Sequence, residues 1–348
     1  MTTDANSENV SSSSSSSCTD ESLLTASNIL SADTLAALLE FQQTGGFTND
    51  ENDNENEHFV IDTNAICATF TPGDSQMIAA TYRRLQLKEE QAAQTYTLAL
   101  QNRIMVELPI APVEERVETL LRNGVVRLKQ ALSSDTCNAC LEQIQQDLNQ
   151  SDFSEGFGNV FSRNHRYDMY LNNQGIYQNA LYELLATNSP LGSLLTTLLN
   201  NQPGVFHEYS SLISDPGSAS QPIHPDSPYS TVTPLWTCFV ALQDVTTTMG
   251  PTVMLPHTHD SKDCHDQLAD PTQKDSLLAH LKYHRSVLNK GDCAVMDSRC
   301  FHFGDANTSD TRRVLLYLTI RNPAHDGEYP TCGSLFPNMS HLTVGDFL

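Results

Sequence analysis

Basic residues are scarce in this chain, and the first of them is Arg83. Against 42 Asp and Glu, the 348 residues carry only 19 Lys and Arg, a net charge of −23. Residues 1–82 hold 13 acids and no base, which leaves 29 acids and 19 bases, a net of −10, for the rest. A surface of that sign repels polyanions, so neither nucleic acid nor an anionic membrane is an expected partner. No run of about 20 apolar residues is present, which excludes a transmembrane helix. The N-terminus has neither the basic nor the apolar region of a secretory signal and is too acidic for a transit peptide. The expected compartment is therefore cytoplasmic. The nine cysteines are odd in number and scattered, apart from Cys137 and Cys140. They read as reduced thiols, and the Asn-x-Ser/Thr triplets at Asn9, Asn307 and Asn338 then carry no meaning for glycosylation.

What is present falls into three segments. Residues 1–74 are expected to be a disordered, acidic, Ser-rich tail. Its seven consecutive serines (11–17) and its Asn/Asp/Glu tract (43–57) offer too little apolar surface to offset the entropy of ordering. Within it, residues 21–42 space Leu, Ile and Phe helically behind Ser31 as N-cap. That stretch is either a docking helix or a short, loosely packed one. Residues 75–105 lack Gly and Pro and predict a long helix, so 75–110 form a helical extension ended by Pro109 and Pro112. Residues 111–348 form the main domain. Gly124–Leu128 predicts a strand. A helix capped by Ser133-Ser134 follows, with Cys137, Cys140, Leu141, Ile144 and Leu148 on one stripe. The Cys137-x-x-Cys140 pair has no second pair or nearby His to complete a zinc set, and on that stripe it reads as core thiols. Residues 176–200 are helical with a break at Pro190. From Val205 onward, short apolar runs separated by turns (205–213, 221–226, 234–243, 252–255, 285–289, 293–296, 299–303, 312–320) predict a β-sandwich or barrel of jelly-roll type. The fold class is α+β, a β core with a helical flank.

The chemistry centres on Ile223-His224-Pro225-Asp226. In a strand, i and i+2 share a face, so His224 and Asp226 stand side by side and Pro225 points away. His302, 76 residues beyond Asp226, would complete a 2-His-1-carboxylate facial triad. That set suits non-haem Fe(II) and leaves positions open for a cosubstrate and O₂. Eleven residues after His302, Arg313 begins the apolar strand Val314–Leu318. A buried cation needs an anion, and a dicarboxylate would chelate the metal with one end and meet Arg313 with the other. The neighbouring Arg312 faces the opposite way. Thr252 is a hydrogen-bond candidate for the same carboxylate. Thr237, Phe239 and Ala241 alternate on one strand face and either line the pocket, with Thr237 toward the cosubstrate and Phe239 toward the substrate, or pack in the core. Arg163, Arg166 and Tyr167 either anchor an anionic substrate or belong to a solvated loop. His257-x-His259 lacks a partner set and reads as a polar turn. His280 and His284 lack the glutamate of a zinc protease motif, since Leu281 follows the first His.

The motifs HPD (224–226), MGPTVMLPHTH (249–259), KGDCAVMDSRCFHFGDANTS (290–309) and TRRVLLYLT (311–319), with the entry GVVRLKQALSSDTCNACLEQI (124–144), resemble the phytanoyl-CoA dioxygenase family of Fe(II)/2-oxoglutarate oxygenases. The resemblance spans roughly residues 115–325 and departs from the family at Pro256–His259, where a PGSH-like turn is common. It implies a double-stranded β-helix (jelly-roll, cupin-like). It also implies iron held by His224, Asp226 and His302, the far carboxylate of 2-oxoglutarate on Arg313, and release of succinate and CO₂. A carboxylate at 226, where related halogenases have a small residue, implies hydroxylation, desaturation or ring closure without halide. The family acts on acyl-CoA, alkaloid-like, terpenoid and amino-acid-derived metabolites. The few basic residues here argue against an acyl-CoA. The expected substrate is a small metabolite, a carboxylic acid or lipophilic product near Arg166. Two other readings stand beside this one: a non-catalytic cupin-like binding protein, and a metal-dependent hydrolase on the same ligands. The oligomeric state is not legible.

Overall fold

The computed structural model describes residues 103–150, 160–163, 165–329 and 335–347, together with Leu100. The expected tail, with its 21–42 helical stretch and 43–57 tract, and nearly all of the expected 75–105 helix lie outside the described residues. That helix does not extend through Met105. Arg103 and Ile104 are irregular, and β1 (Met105–Glu107) pairs in parallel with β8 (Tyr283–Arg285). A distant strand outbids the local helical preference there, and Pro109 precludes continuation.

Among the described residues, eleven strands form two sheets. β2 (Val125–Leu128), β3 (Val160–Arg163), β4 (Arg166–Tyr170), β5 (Phe206–Ser214), β6 (Leu235–Ala241), β9 (Cys293–Asp297) and β11 (Arg313–Arg321) make a seven-stranded sheet in the order β2-β9-β6-β11-β5-β4-β3. β7 (Thr252–Leu255) and β10 (Phe301–Gly304) join β1 and β8 in the order β1-β8-β7-β10. Apart from the β1–β8 pair, the ladders are antiparallel. The architecture is mixed helix and sheet around a jelly-roll-like core.

Alternation along the strands sorts side chains into three layers. Phe239, Ala241, Ala294, Met296, Leu315 and Tyr317 from the large sheet share an inner cluster with Met254 from the small one and with Cys300, just before β10. The opposite face of the large sheet, with Tyr209, Ile213, Cys238, Val295, Val314, Leu316 and Leu318, packs against helices. These are α1 (Arg116–Asn123), α2 (Ser134–Gln150), α3 (Gly175–Leu185) and α4 (Pro190–Leu198). α2 starts where the serines predict: Ser133 Oγ accepts from Thr136 N (3.3 Å). Ser189 caps α4 through Gly192 N (2.8 Å), with Pro190 at its first position. Cys137 and Cys140 are fully buried in this layer, and burial pushes both thiols up to about 12. They are core thiols, neither redox-active nor metal-binding in character. α5 (Lys262–Ala269) and α6 (Lys274–His280) lie over the outer face of the small sheet, whose cluster includes Val253, Leu255, Phe301 and Phe303.

Candidate metal centre

The segment holding His224 and Asp226 is not the strand expected over 221–226. It is a loop that makes a single bridge, His224 to His302. The prolines explain this. Pro222 and Pro225 have no N–H to give a ladder, so only His224 exchanges both backbone hydrogen bonds with His302 (3.1 and 2.9 Å). Beyond it, Asp226 N and Ser227 N both donate to Ser298 O (2.9 Å each). Gln221 N also donates to Gly304 O (2.8 Å), so the loop is pinned on β10 at His302 and at Gly304, and at the turn before that strand.

That turn is held by charge. Arg299, 6 % exposed, grips Asp297 bidentately, Nε to Oδ1 at 2.9 Å and Nη2 to Oδ2 at 2.6 Å. Thr233 Oγ1 donates to the same carboxylate at 2.6 Å. The cluster sets the start of the strand that carries His302.

Among the described residues, one group of metal-ligating side chains converges: the ligand atoms of His224, Asp226 and His302 lie within 4.8 Å of one another. Asp226 Oδ1 is 3.4 Å from His302 Nε2 and 3.8 Å from His224 Nε2. Each imidazole has Nδ1 against a backbone carbonyl, His224 on Pro222 O (2.8 Å) and His302 on Cys300 O (3.1 Å). A carbonyl only accepts, so Nδ1 carries the proton and the lone pair of each neutral ring sits on Nε2, facing the carboxylate. Burial and then His302 hold His224 below its ordinary value. Burial lowers His302 as well, but the charge and hydrogen bond of Asp226 outweigh it and the net shift is upward. For Asp226 burial is likewise outweighed, by His302 and His224, and its carboxyl is held down. Two imidazoles presenting Nε2 beside one carboxylate are the donor set of a divalent first-row metal with open positions.

Arg313 is 3 % exposed on the inner face at the start of β11. Its Nη1 donates to Gly250 O at 2.5 Å, while its Nε is buried without a hydrogen-bond partner among the described residues. Burial, with Arg166 beside it, pulls the guanidinium down to about 9. An unsatisfied buried donor on a charged group costs at least about 1–3 kcal/mol, and an anion would relieve it. Arg312 turns the other way onto Asp215 (Nη2 to Oδ2, 2.9 Å), so the assignment of Arg313 to the inside agrees with this placement. Thr252, 5 % exposed, lies two residues from Gly250 and opposite Gly304 on β10. Gly250 is required there: its φ is 68°, and a Cβ would stand 2.5 Å from Asp305 O.

The other expected site residues spread more widely. Phe239 is buried in the inner cluster with its ring 6.4 Å from that of His302 and 5.3 Å from that of Tyr317, so it both lines the wall and packs. Thr237 pairs with Thr319, six residues along β11 from Arg313. At the usual rise per strand residue that is about 20 Å, too far for one small dicarboxylate to touch both. Arg166 lies in no solvated loop. Its Nη2 reaches Ala219 O (2.9 Å), Gly304 O (3.3 Å) and Asp305 O (2.5 Å), which clamps the end of β10. Arg163 is placed opposite Arg166 by strand register. Tyr167 turns toward Arg312, whose guanidinium is 6.0 Å from its ring. His257 and His259 form a polar turn as expected: His257 Nδ1 and His259 Nε2 meet Arg122 O (3.1 Å) and Leu121 O (3.0 Å), capping the end of α1. His284 sits in β8, separate from His280 at the end of α6.

Sequence reasoning missed Glu208, half-buried on β5. Its Oε2 accepts from Thr319 Oγ1 (2.8 Å) and Tyr317 Oη (3.0 Å). A carboxylate inside the apolar-alternating run 205–213 was the signal.

Comparison with known proteins follows this geometry. The family model for phytanoyl-CoA dioxygenase (PhyH) matches residues 120–315. The chain belongs to the PhyH family. PhyH proteins are 2-oxoglutarate-dependent oxygenases, and this chain is an enzyme of that class, for which iron is the cofactor and 2-oxoglutarate the cosubstrate. Solved structures similar to this PhyH chain include the non-heme alpha ketoglutarate dependent epimerase SnoN from nogalamycin biosynthesis. It is 16 % identical with a TM-score of 0.49, over 67 % of this chain and 98 % of that one. The carbocyclase SnoK from the same biosynthesis is 17 % identical with a TM-score of 0.47, over 62 % and 87 %. AviO1 from Streptomyces viridochromogenes Tue57 is 19 % identical with a TM-score of 0.48, over 63 % and 99 %. No curated protein matches the chain. Among the described residues, no helix is long and apolar enough to cross a membrane.

Proposed function

We propose that this protein hydroxylates or desaturates a small organic metabolite at an iron site held by His224, Asp226 and His302, inside a double-stranded β-helix. The observation that carries the reading is the double pinning of Nδ1, which turns both Nε2 lone pairs onto the Asp226 carboxylate. The residues fit Fe(II): two imidazole nitrogens, one carboxylate oxygen and no thiolate. When bound, Fe(II) with 2-oxoglutarate and O₂ supplies the oxidation of an unactivated C–H bond, with succinate and CO₂ as co-products. The chain's own residues do the rest. Arg313 offers its open Nε to the far carboxylate, and Thr252 faces the same end from β7. Phe239, Leu315 and Met254 keep the wall apolar and exclude water.

The test is anaerobic addition of Fe(II) and 2-oxoglutarate. A visible charge-transfer band is expected in the wild type and is expected to vanish in His302→Ala. An unchanged band in that variant would remove His302 from the site. Dependence of turnover on O₂ separates this reading from a hydrolase on the same ligands.

A further inference from the structure

A second polar patch lies on the inner face of the large sheet, at the end of β11 away from Arg313. Glu208 Oε2 is occupied by two hydroxyls, while Oε1 accepts no hydrogen bond from any described residue. Ser210, two residues along β5 and so on the same face, is fully buried with Oγ unpartnered among the described residues. Thr237, across β11 from Glu208 and opposite Thr319, is fully buried with Oγ1 likewise unpartnered. Leaving such groups unmade is costly, and native interiors seldom do so without a ligand or water. Phe239 joins the patch to the metal trio, since its ring touches both Tyr317 and His302.

Resting on the iron and 2-oxoglutarate reading above, we propose that this patch is the substrate subsite, and that Glu208 Oε1 with Ser210 Oγ receives a protonated amine of the substrate. The charges around it point the same way. In the metal-free chain, burial first, with the Asp226 and Asp168 carboxylates behind it, pushes Glu208 up to about 7, against the hydrogen bonds from Thr319 and Tyr317. An ammonium group would supply the missing counter-charge; a carboxylate would add a further repulsion. Arg321, two residues beyond Thr319, is turned onto His207 Nδ1 (3.2 Å) and the Tyr329 ring (4.6 Å). The anionic substrate expected near Arg166 finds that guanidinium clamped on three carbonyls.

The test uses the full chain under argon with Fe(II) and 2-oxoglutarate, titrated with n-hexylamine, 1-hexanol and hexanoate. Binding is read by thermal shift and by perturbation of the charge-transfer band. Hexylamine is expected to bind at least tenfold more tightly than the other two. Glu208→Gln should lower its affinity at least tenfold while the band itself persists, and Ser210→Ala should lower it two- to threefold. Equal binding of the alcohol or the carboxylate overturns the proposal, as does unchanged amine affinity in Glu208→Gln. Should Glu208→Gln not fold, Ser210→Ala and the amine-over-alcohol preference decide. A missing band in the wild type would fail the iron reading instead, and thermal shift on the metal-free chain still reports amine recognition.

Discussion

At the scale of single residues, the site depends on where protons and open valences sit. Of the three guanidinium nitrogens of Arg313, Nη1 is anchored on Gly250 O and Nε has no hydrogen-bond partner among the described residues, which leaves the Nε–Nη2 side of the fork for an anion. Arg313→Lys keeps a charge but loses the fork. We expect it to raise the KM for 2-oxoglutarate about tenfold or more, a loss on the scale of one charge-assisted hydrogen bond, with a smaller effect on kcat. Steady-state succinate release measures both, and an unmoved KM would take Arg313 out of the cosubstrate site. Glu208 makes a pH-dependent contribution to stability. Its folded value, about 7, lies above the ordinary 4.5. The stabilising difference is therefore complete below about 4.5, is lost as pH rises toward 7, and is flat beyond. Between pH 5 and 8 the metal-free wild type should lose roughly 1–3 kcal/mol more stability than Glu208→Gln. Urea titrations at the two pH values measure this, and parallel losses in both proteins would contradict the assignment.

At the scale of elements, the loop that carries His224 and Asp226 is defined by what it cannot do. Pro222 and Pro225 forbid a ladder, so the loop borrows its position from β10 and from the Asp297–Arg299 turn. At one edge of the large sheet, β2 is tied to the turn before β9 by a buried ion pair. Arg127 Nη2 and Nε reach Asp292 Oδ2 at 2.7 and 3.2 Å, with side-chain exposures of 6 % and 3 %. Removing one partner strands the other charge in the interior. Asp292→Asn should cost about 3–5 kcal/mol in chemical denaturation; a cost below about 1 kcal/mol would mean that the pair is not a structural tie. The β2 strand and the Ser133 cap were readable because propensity and capping act over a few residues. The loss of strand at 221–226 was readable too, from the prolines, but the alternation of His224 and Asp226 spoke for a strand.

At the scale of the molecule, the large sheet is a two-sided wall. Helices cover one face, and the other carries the metal trio's neighbours, the Arg313 end and the Glu208 end. Residues 1–74 are not expected to contribute to that wall. Their deletion should leave 2-oxoglutarate-dependent succinate release within about twofold, as for changes outside a site and its core; a lost activity would assign the tail a part in folding or in closing the site. The sequence by itself determined the residue types of the candidate metal trio, the eleven-residue offset from His302 to Arg313, the inward face of β11 and the helical flank. Those depend on side-chain chemistry and on periodicities local to one element. Only the tertiary structure decided that Thr237 stands far from Arg313, that Arg166 is a clamp, and that Glu208 meets two hydroxyls beside orphaned Ser210 and Thr237. Those outcomes are set by the register between strands distant in sequence, where a shift of one residue turns a side chain to the other face.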